Sequence, residues 1–132
     1  DQECSVLDPG LTVFEQTERF NASHLAEHEL KSILNRCLFP YETWDKPCFC
    51  LSGGEKIRLL FCCLMIGNNA PDVFILDEPT NNLDIQSVEI ITAAIKSYRG
   101  TVLLISHDHY FVKEIKINRS IKLFDTGSVI KI

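Results

Sequence analysis

The chain has 132 residues, of which 45% are hydrophobic and 23% charged, and a formal net charge of −5. A chain of this length buries roughly two-thirds of its unfolded surface around a core, which excludes a disordered chain, a collagen-like repeat and a plain acidic tail. The acidic balance also excludes a nucleic-acid grip built on net charge alone, leaving only a local basic patch.

The sequence opens without an initiator Met and at once in charged residues, Asp1-Gln2-Glu3, and so reads as a piece of something longer. Turn chemistry at Asp8-Pro9-Gly10 leads into a short helix near Thr12 to Arg19. From Ser23 to Leu38 an amphipathic helix is predicted, because Ala26, Leu30, Ile33, Leu34, Cys37 and Leu38 repeat on one helical face. Pro40 and Pro47 then stop helix formation, and Tyr41 to Cys50 reads as a connecting loop around Trp44.

From Leu51 the texture changes. Ser52 and Glu55 stand at capping-box spacing, and the helix they open runs through Lys56 to Ile66, apolar on nearly all sides from Leu59. Gly67 to Pro71 ends it. Val73-Phe74-Ile75-Leu76 is a continuous apolar run of the kind found in strands covered on both faces. A helix over Ile85 to Tyr98 and a second buried strand over Thr101 to Ile105 complete a parallel crossover, so the fold class is α/β. A short helix from about Asp108 to Glu114 follows. The tail reads as a hairpin, Ser120 to Phe124 and Ser128 to Ile132 around Asp125-Thr126-Gly127.

Six cysteines (Cys4, Cys37, Cys48, Cys50, Cys62 and Cys63) occur without a CxxC pair, so they read as reduced core residues of a cytosolic protein rather than zinc ligands. The longest apolar run, Leu59 to Ile66, is less than half of the ~20 residues that a membrane span needs.

Three clusters carry chemistry. Ser52-Gly53-Gly54-Glu55 puts two glycines into a helix's first turn, at about 1 kcal/mol each relative to Ala. Either this is a plain capped turn, or the missing side chains let a phosphate reach the free N–H groups. Asp77 and Glu78 end a buried parallel strand, where α/β proteins place ligands. An acidic residue there can hold Mg²⁺ and its neighbour can orient or deprotonate water, the alternative being a solvated strand exit. Ser106-His107-Asp108-His109 leaves the second strand at the same sheet edge, so His107 either shares that crevice or is a solvated loop histidine. His24, His28 and His109 read as solvated.

Together these clusters resemble the ATP-binding cassette (ABC) ATPases. Leu51-Ser52-Gly53-Gly54-Glu55 is similar to the signature motif, Val73 to Glu78 to the Walker B strand with its catalytic glutamate, Asn81-Asn82-Leu83-Asp84 to the D-loop, and His107 to the switch histidine, in family order. Gln2 is similar to the Q-loop glutamine. Glu78-Pro79-Thr80-Asn81-Asn82-Leu83-Asp84 and Ser106-His107-Asp108-His109-Tyr110-Phe111 look most like the F subfamily: soluble twin-cassette proteins, many acting on the ribosome and some protecting it from antibiotics.

The resemblance implies ATP and Mg²⁺ as cofactors. Asp77 would hold the metal through water, Glu78 polarise the attacking water, His107 contact the γ-phosphate, and Gln2 sense metal and water. Ser52, Gly53 and Gly54, with Glu55 closing the motif, would cap ATP bound on a second cassette, and Asp84 would link the two sites. Residues 12–66 would form the helical subdomain and 67–132 the core α/β part.

One departure from the family is large: no GxxxxGK[ST] loop occurs in these 132 residues, so the cradle and lysine for the β- and γ-phosphates are missing. The expectation is therefore a partial P-loop cassette, cytoplasmic, whose parent hydrolyses ATP. The chain alone would bind ATP negligibly and, with the Thr101 to Ile105 edge unpaired, self-associate. The alternatives are the ATPase subunit of a membrane transporter and a non-enzymatic module that docks a complete cassette.

Overall fold

The computed structural model describes residues 6–67, 72–123 and 129–131. Its first helix, α1 (Val13–Phe20), starts at Thr12, whose hydroxyl accepts from the Glu15 N–H while the Glu15 carboxylate accepts from the Thr12 N–H. This capping box satisfies two of the donors a helix start leaves free.

The second helix, α2 (Glu27–Arg36), is shorter than the amphipathic pattern predicts. Asn21 is the reason. Its side-chain amide donates to the Leu25 carbonyl and accepts from the Leu25 N–H, both at 2.9 Å, and His24 takes a positive φ of 52°. Those bonds give residues 21–25 a loop conformation that competes with the helix. At the other end Leu38, at φ 59°, turns the chain out of α2.

The stretch expected as a plain loop holds two single 3₁₀ turns, Tyr41–Thr43 and Cys48–Cys50. Between them Trp44 is buried and donates its indole N–H to the Phe39 carbonyl at 2.8 Å. An apolar ring is thus inside without an orphaned donor. Cys37, Cys48, Cys62 and Cys63 are buried free thiols, as the composition suggested; Cys50 is exposed instead, and Cys4 lies outside the described residues. Burial pushes the Cys63 thiol well above its ordinary range.

Helix α3 (Gly53–Ile66) is the pivot of the molecule. Leu59, Cys62, Cys63 and Ile66 enter one apolar cluster with Val13, Leu30, Leu34, Phe39 and Trp44. Phe61 enters a second, with Ile91, Ala94, Ile95 and Phe111. A helix apolar on most sides is what serving two cores requires.

After α3 come β1 (Val73–Asp77), α4 (Ile85–Ser97), β2 (Thr101–Ile105) and α5 (His109–Ile115). The strands pair parallel, Val73 opposite Thr101 through Asp77 opposite Ile105, and among the described residues they form a two-stranded sheet. Two further bonds extend the ladder: the Thr101 N–H donates to the Asp72 carbonyl and the Glu78 N–H to the Ile105 carbonyl, each at 2.8 Å. At its start the chain passes through Gly100, where a Cβ would lie 2.2 Å from the Tyr98 hydroxyl and 2.8 Å from the Asp72 carbonyl oxygen. No side chain fits there. Beyond α5, β3 (Ile121–Leu123) and β4 (Val129–Lys131) pair antiparallel as the expected hairpin, its turn lying outside the described residues.

The sheet corrects one expectation. Phe74, Leu76, Val102 and Leu104 face the helices, but Val73, Ile75, Leu103 and Ile105 are 50–66% exposed on the other face. Continuous apolar strands were expected to be covered twice; among the described residues only α4, α5 and α3 pack against them, all on one side. The far edge of β2 carries no strand among the described residues.

Candidate functional site

At the C-terminal edge of the sheet, Asp77 is the last residue of β1 and Glu78 the first beyond it. Glu78 has φ 46°, a left-handed conformation costing a non-glycine residue about 1–2 kcal/mol. Its backbone is held at both ends, since its N–H donates to Ile105 and its carbonyl accepts from the Asn81 N–H at 3.1 Å. A strained residue so fixed turns the chain sharply out of the sheet, at the position where ligands of α/β folds bind.

His107 follows β2 by two residues, and its Nδ1 donates to Glu78 Oε1 at 2.7 Å. The sequence therefore places both residues at one edge, and the structure joins them. The hydrogen bond from the imidazole, with the carboxylate's charge, raises the His107 pKa above its ordinary value. The other carboxylate oxygen, Glu78 Oε2, is buried with no hydrogen-bond partner. A lone acceptor beside the exposed Asp77 suits a water or a cation. Among the described residues no group of three or more His, Cys, Asp or Glu could enclose a metal ion. Mg²⁺ needs no such cage, because it keeps several waters and is held by one or two carboxylates together with phosphate oxygens. Asp77 and Glu78 fit that requirement.

The glycine-bearing turn lies at the start of α3. Ser52 accepts from the Glu55 N–H at 3.3 Å, and the Glu55 carboxylate accepts from the Ser52 N–H at 2.8 Å, so the capping box read from the spacing is present. Partial burial works against ionised Glu55, but the Ser52 hydrogen bonds and Lys46, 3.4 Å away, outweigh it and hold the carboxyl below its usual range. Gly53 has open space where a Cβ would stand, whereas at Gly54 a Cβ would lie 2.8 Å from Leu83 Cδ2. One glycine leaves room for a visitor; the other lets the D-loop-like segment approach.

That segment, residues 81–84, includes Asn82 at φ 60° and ends at Asp84, the N-cap of α4. The Asp84 carboxylate accepts from the Ser87 N–H at 2.7 Å, a bond that lowers its pKa. Asp84 thus has a structural duty in addition to the one its motif implies.

The candidate residues fall into two groups: Asp77, Glu78 and His107 at the sheet edge, and Ser52, Gly53, Gly54 and Glu55 against the D-loop-like segment with Asp84. No hydrogen bond or ion pair among the described residues joins Ser52, Gly53 or Gly54 to Glu78 or His107. Gln2 lies outside the described residues. Sequence reading missed Arg58, which is buried and donates from Nη1 to Ser87 Oγ at 2.8 Å. Its only sequence signal was a cation one helical turn beyond Gly54, at the edge of the apolar run that starts at Leu59.

Known proteins resemble this chain in sequence and in fold. The family model described as ABC transporter matches residues 1–81. ABC transporter F family member 2 of Arabidopsis thaliana is 46% identical over 99 residues, covering 75% of this chain and 14% of that protein. Member 5 of the same plant is 43% identical over 123 residues, 93% of this chain and 17% of the relative. The probable ATP-binding protein YbiT of Escherichia coli O157:H7 is 43% identical over 105 residues, 80% and 19% respectively. The chain thus spans less than a fifth of the length of these relatives. Among solved structures, an RNase-L inhibitor superposes with a TM-score of 0.65 at 23% identity, covering 86% of this chain and 22% of its own. A complex of an archaeal ribosomal stalk protein with an archaeal ribosome recycling factor gives the same figures, and both show the fold. The family model covers more than half of the chain and these relatives are over 40% identical, so this chain belongs to the ABC transporter family, and its relatives include F family members.

Proposed function

We propose that this chain supplies the hydrolytic edge and the signature face of one cassette in a twin-cassette ATPase of the F type. The observation that carries the reading is the His107–Glu78 contact at 2.7 Å, formed by two motifs 29 residues apart in sequence and next to an orphaned carboxylate oxygen. Glu78 would orient and deprotonate the attacking water, His107 would meet the γ-phosphate, and Asp77 would hold Mg²⁺ through water, with Gln2 near the metal. When bound, Mg²⁺ supplies charge neutralisation at the phosphates. Residues 12–66 would act as the helical subdomain and 67–132 as the α/β part.

Ser52, Gly53 and Gly54 would cap ATP held on the opposite cassette, using the free N–H groups and positive end of α3. The phosphate-binding loop that pairs with them is not encoded in these 132 residues, so turnover belongs to a protein in which this segment is joined to it. The ribosome is the partner we favour. The F-family relatives support this, as does a structural neighbour crystallised with a ribosomal stalk protein.

The test is Glu78→Gln in a two-cassette protein carrying this segment. Turnover should fall about 10²-fold or more while ATP binding persists, and the ATP-loaded variant should co-sediment with ribosomes. Undiminished turnover removes Glu78 from the role; trapped ATP without ribosome binding removes the partner.

A further inference from the structure

Arg58 stands out among the buried side chains. It is only 9% exposed, no carboxylate among the described residues forms an ion pair with it, and its Nε–H is buried without an acceptor. Its partners are the Ser87 hydroxyl, at 2.8 Å, and the face of Phe39, 5.0 Å from the guanidinium carbon to the ring centre. A buried cation supported by one neutral hydroxyl and one ring is a poor choice for stability, since an apolar residue of similar shape would pack there at lower cost. Something other than packing accounts for it.

The partner's place is informative. Ser87 lies in the first turn of α4, its own N–H donates to Asp84, and its side chain is buried. Just before the Asp84 N-cap of α4, Leu83 sits against Gly54, and Gly54 is itself one turn back from Arg58 along α3. Positions four apart lie on one face of a helix. Gly54 with Leu83 and Arg58 with Ser87 are therefore two parallel attachments between the same two segments. One attachment would leave the signature turn free to pivot against the D-loop; two fix its direction.

We propose that Arg58 is a positioning residue that, through Ser87, clamps the signature turn to the D-loop, so that Ser52-Gly53-Gly54 and Asp84 reach the opposite cassette as one rigid unit. The guanidinium's charge is also felt by Asp84, where it adds to the Ser87 bonds in keeping the carboxylate ionised. The proposal rests on the function given above, because the clamp acts on catalysis only if the signature turn works in trans.

The experiment compares Arg58→Met and Ser87→Ala with the unmodified two-cassette protein. Arg58→Met keeps the stem and removes the charge, so the fold should melt at the same temperature or higher. Turnover should nevertheless fall about tenfold in kcat with little change in KM, and Ser87→Ala should show a smaller loss of the same kind. The double variant should be no worse than Arg58→Met, because both remove one interaction. Wild-type turnover in a well-folded Arg58→Met overturns the proposal. Hydrogen exchange supplies an arm independent of turnover: in Arg58→Met, the amides of Glu55 and Ser87 should lose protection together. If only one element loosens, there is no clamp. If the unmodified protein does not hydrolyse ATP, the functional reading fails while exchange still decides the coupling.

Discussion

Val13, Leu34, Leu59 and Cys62 in the helical region are wholly buried, whereas Val73, Ile75, Leu103 and Ile105, no less apolar, stand at least half exposed on the sheet. The helical region closes on itself: α1 and α2 rest on α3, and Trp44 is buried in the same cluster with its indole N–H satisfied. The α/β region covers its sheet from one side only. Among the described residues its other face is apolar in composition and open to solvent.

The largest loss of stability is expected at Leu34, in the closed helical core. Leu34→Ala should cost about 2–5 kcal/mol in denaturant unfolding, since a fully buried side chain leaves a cavity. A loss below 1 kcal/mol would mean that the helical core is not closed as described. Ser52→Ala should cost about 1 kcal/mol by removing a capping bond, and the Glu55 amide should exchange faster in deuterated water.

A smaller stability effect, but a sharper contrast, is expected on the sheet. Ile75→Thr with Leu103→Thr should change stability by about 0.5 kcal/mol or less, because both side chains are already in water. Sedimentation should show less self-association than the unmodified chain. Equal association would place the sticky surface elsewhere.

The subtlest effect is on pH. Because Glu78 raises the His107 pKa, the pair's contribution is fully present below the unfolded pKa of about 6.5 and fades as pH rises through the higher folded value. In an NMR titration the His107 ring should titrate above about 6.5, and Glu78→Gln should move its midpoint down. An unchanged midpoint would break the pair.

Local chemistry was legible in the sequence and long-range consequence was not. The Ser52–Glu55 box and the start of α4 could be read because each depends on residues a few positions apart, and the parallel pairing of β1 with β2 because a helix joins the two strands. The shortening of α2 was hidden, since a hydrophobic repeat starting at Ala26 does not mark where the backbone enters the helix, while Asn21 offered the backbone a competing set of bonds. The strands read as doubly covered because an apolar run records what a face suits rather than what lies on it. At the site, Asp77, Glu78 and His107 were legible as residues at one sheet edge. The left-handed backbone of Glu78 was not, because Glu has no preference for it and tertiary bonds enforce it. Arg58 escaped notice because its partner is 29 residues away.

Gly100 sets a limit on how this molecule can vary. It admits no Cβ, and the strand ladder begins at the next residue, where Thr101 bonds to Asp72. Any substitution there has to push Tyr98 or the Asp72 backbone aside, and a slip of one residue would turn every side chain of β2 to the opposite face. The pair at the other end of the strands, about 16 Å away, would lose its alignment without being touched. In a library of random variants, position 100 should therefore tolerate as few substitutions as the glutamate whose setting it fixes, although it lies at the end of the sheet remote from the chemistry.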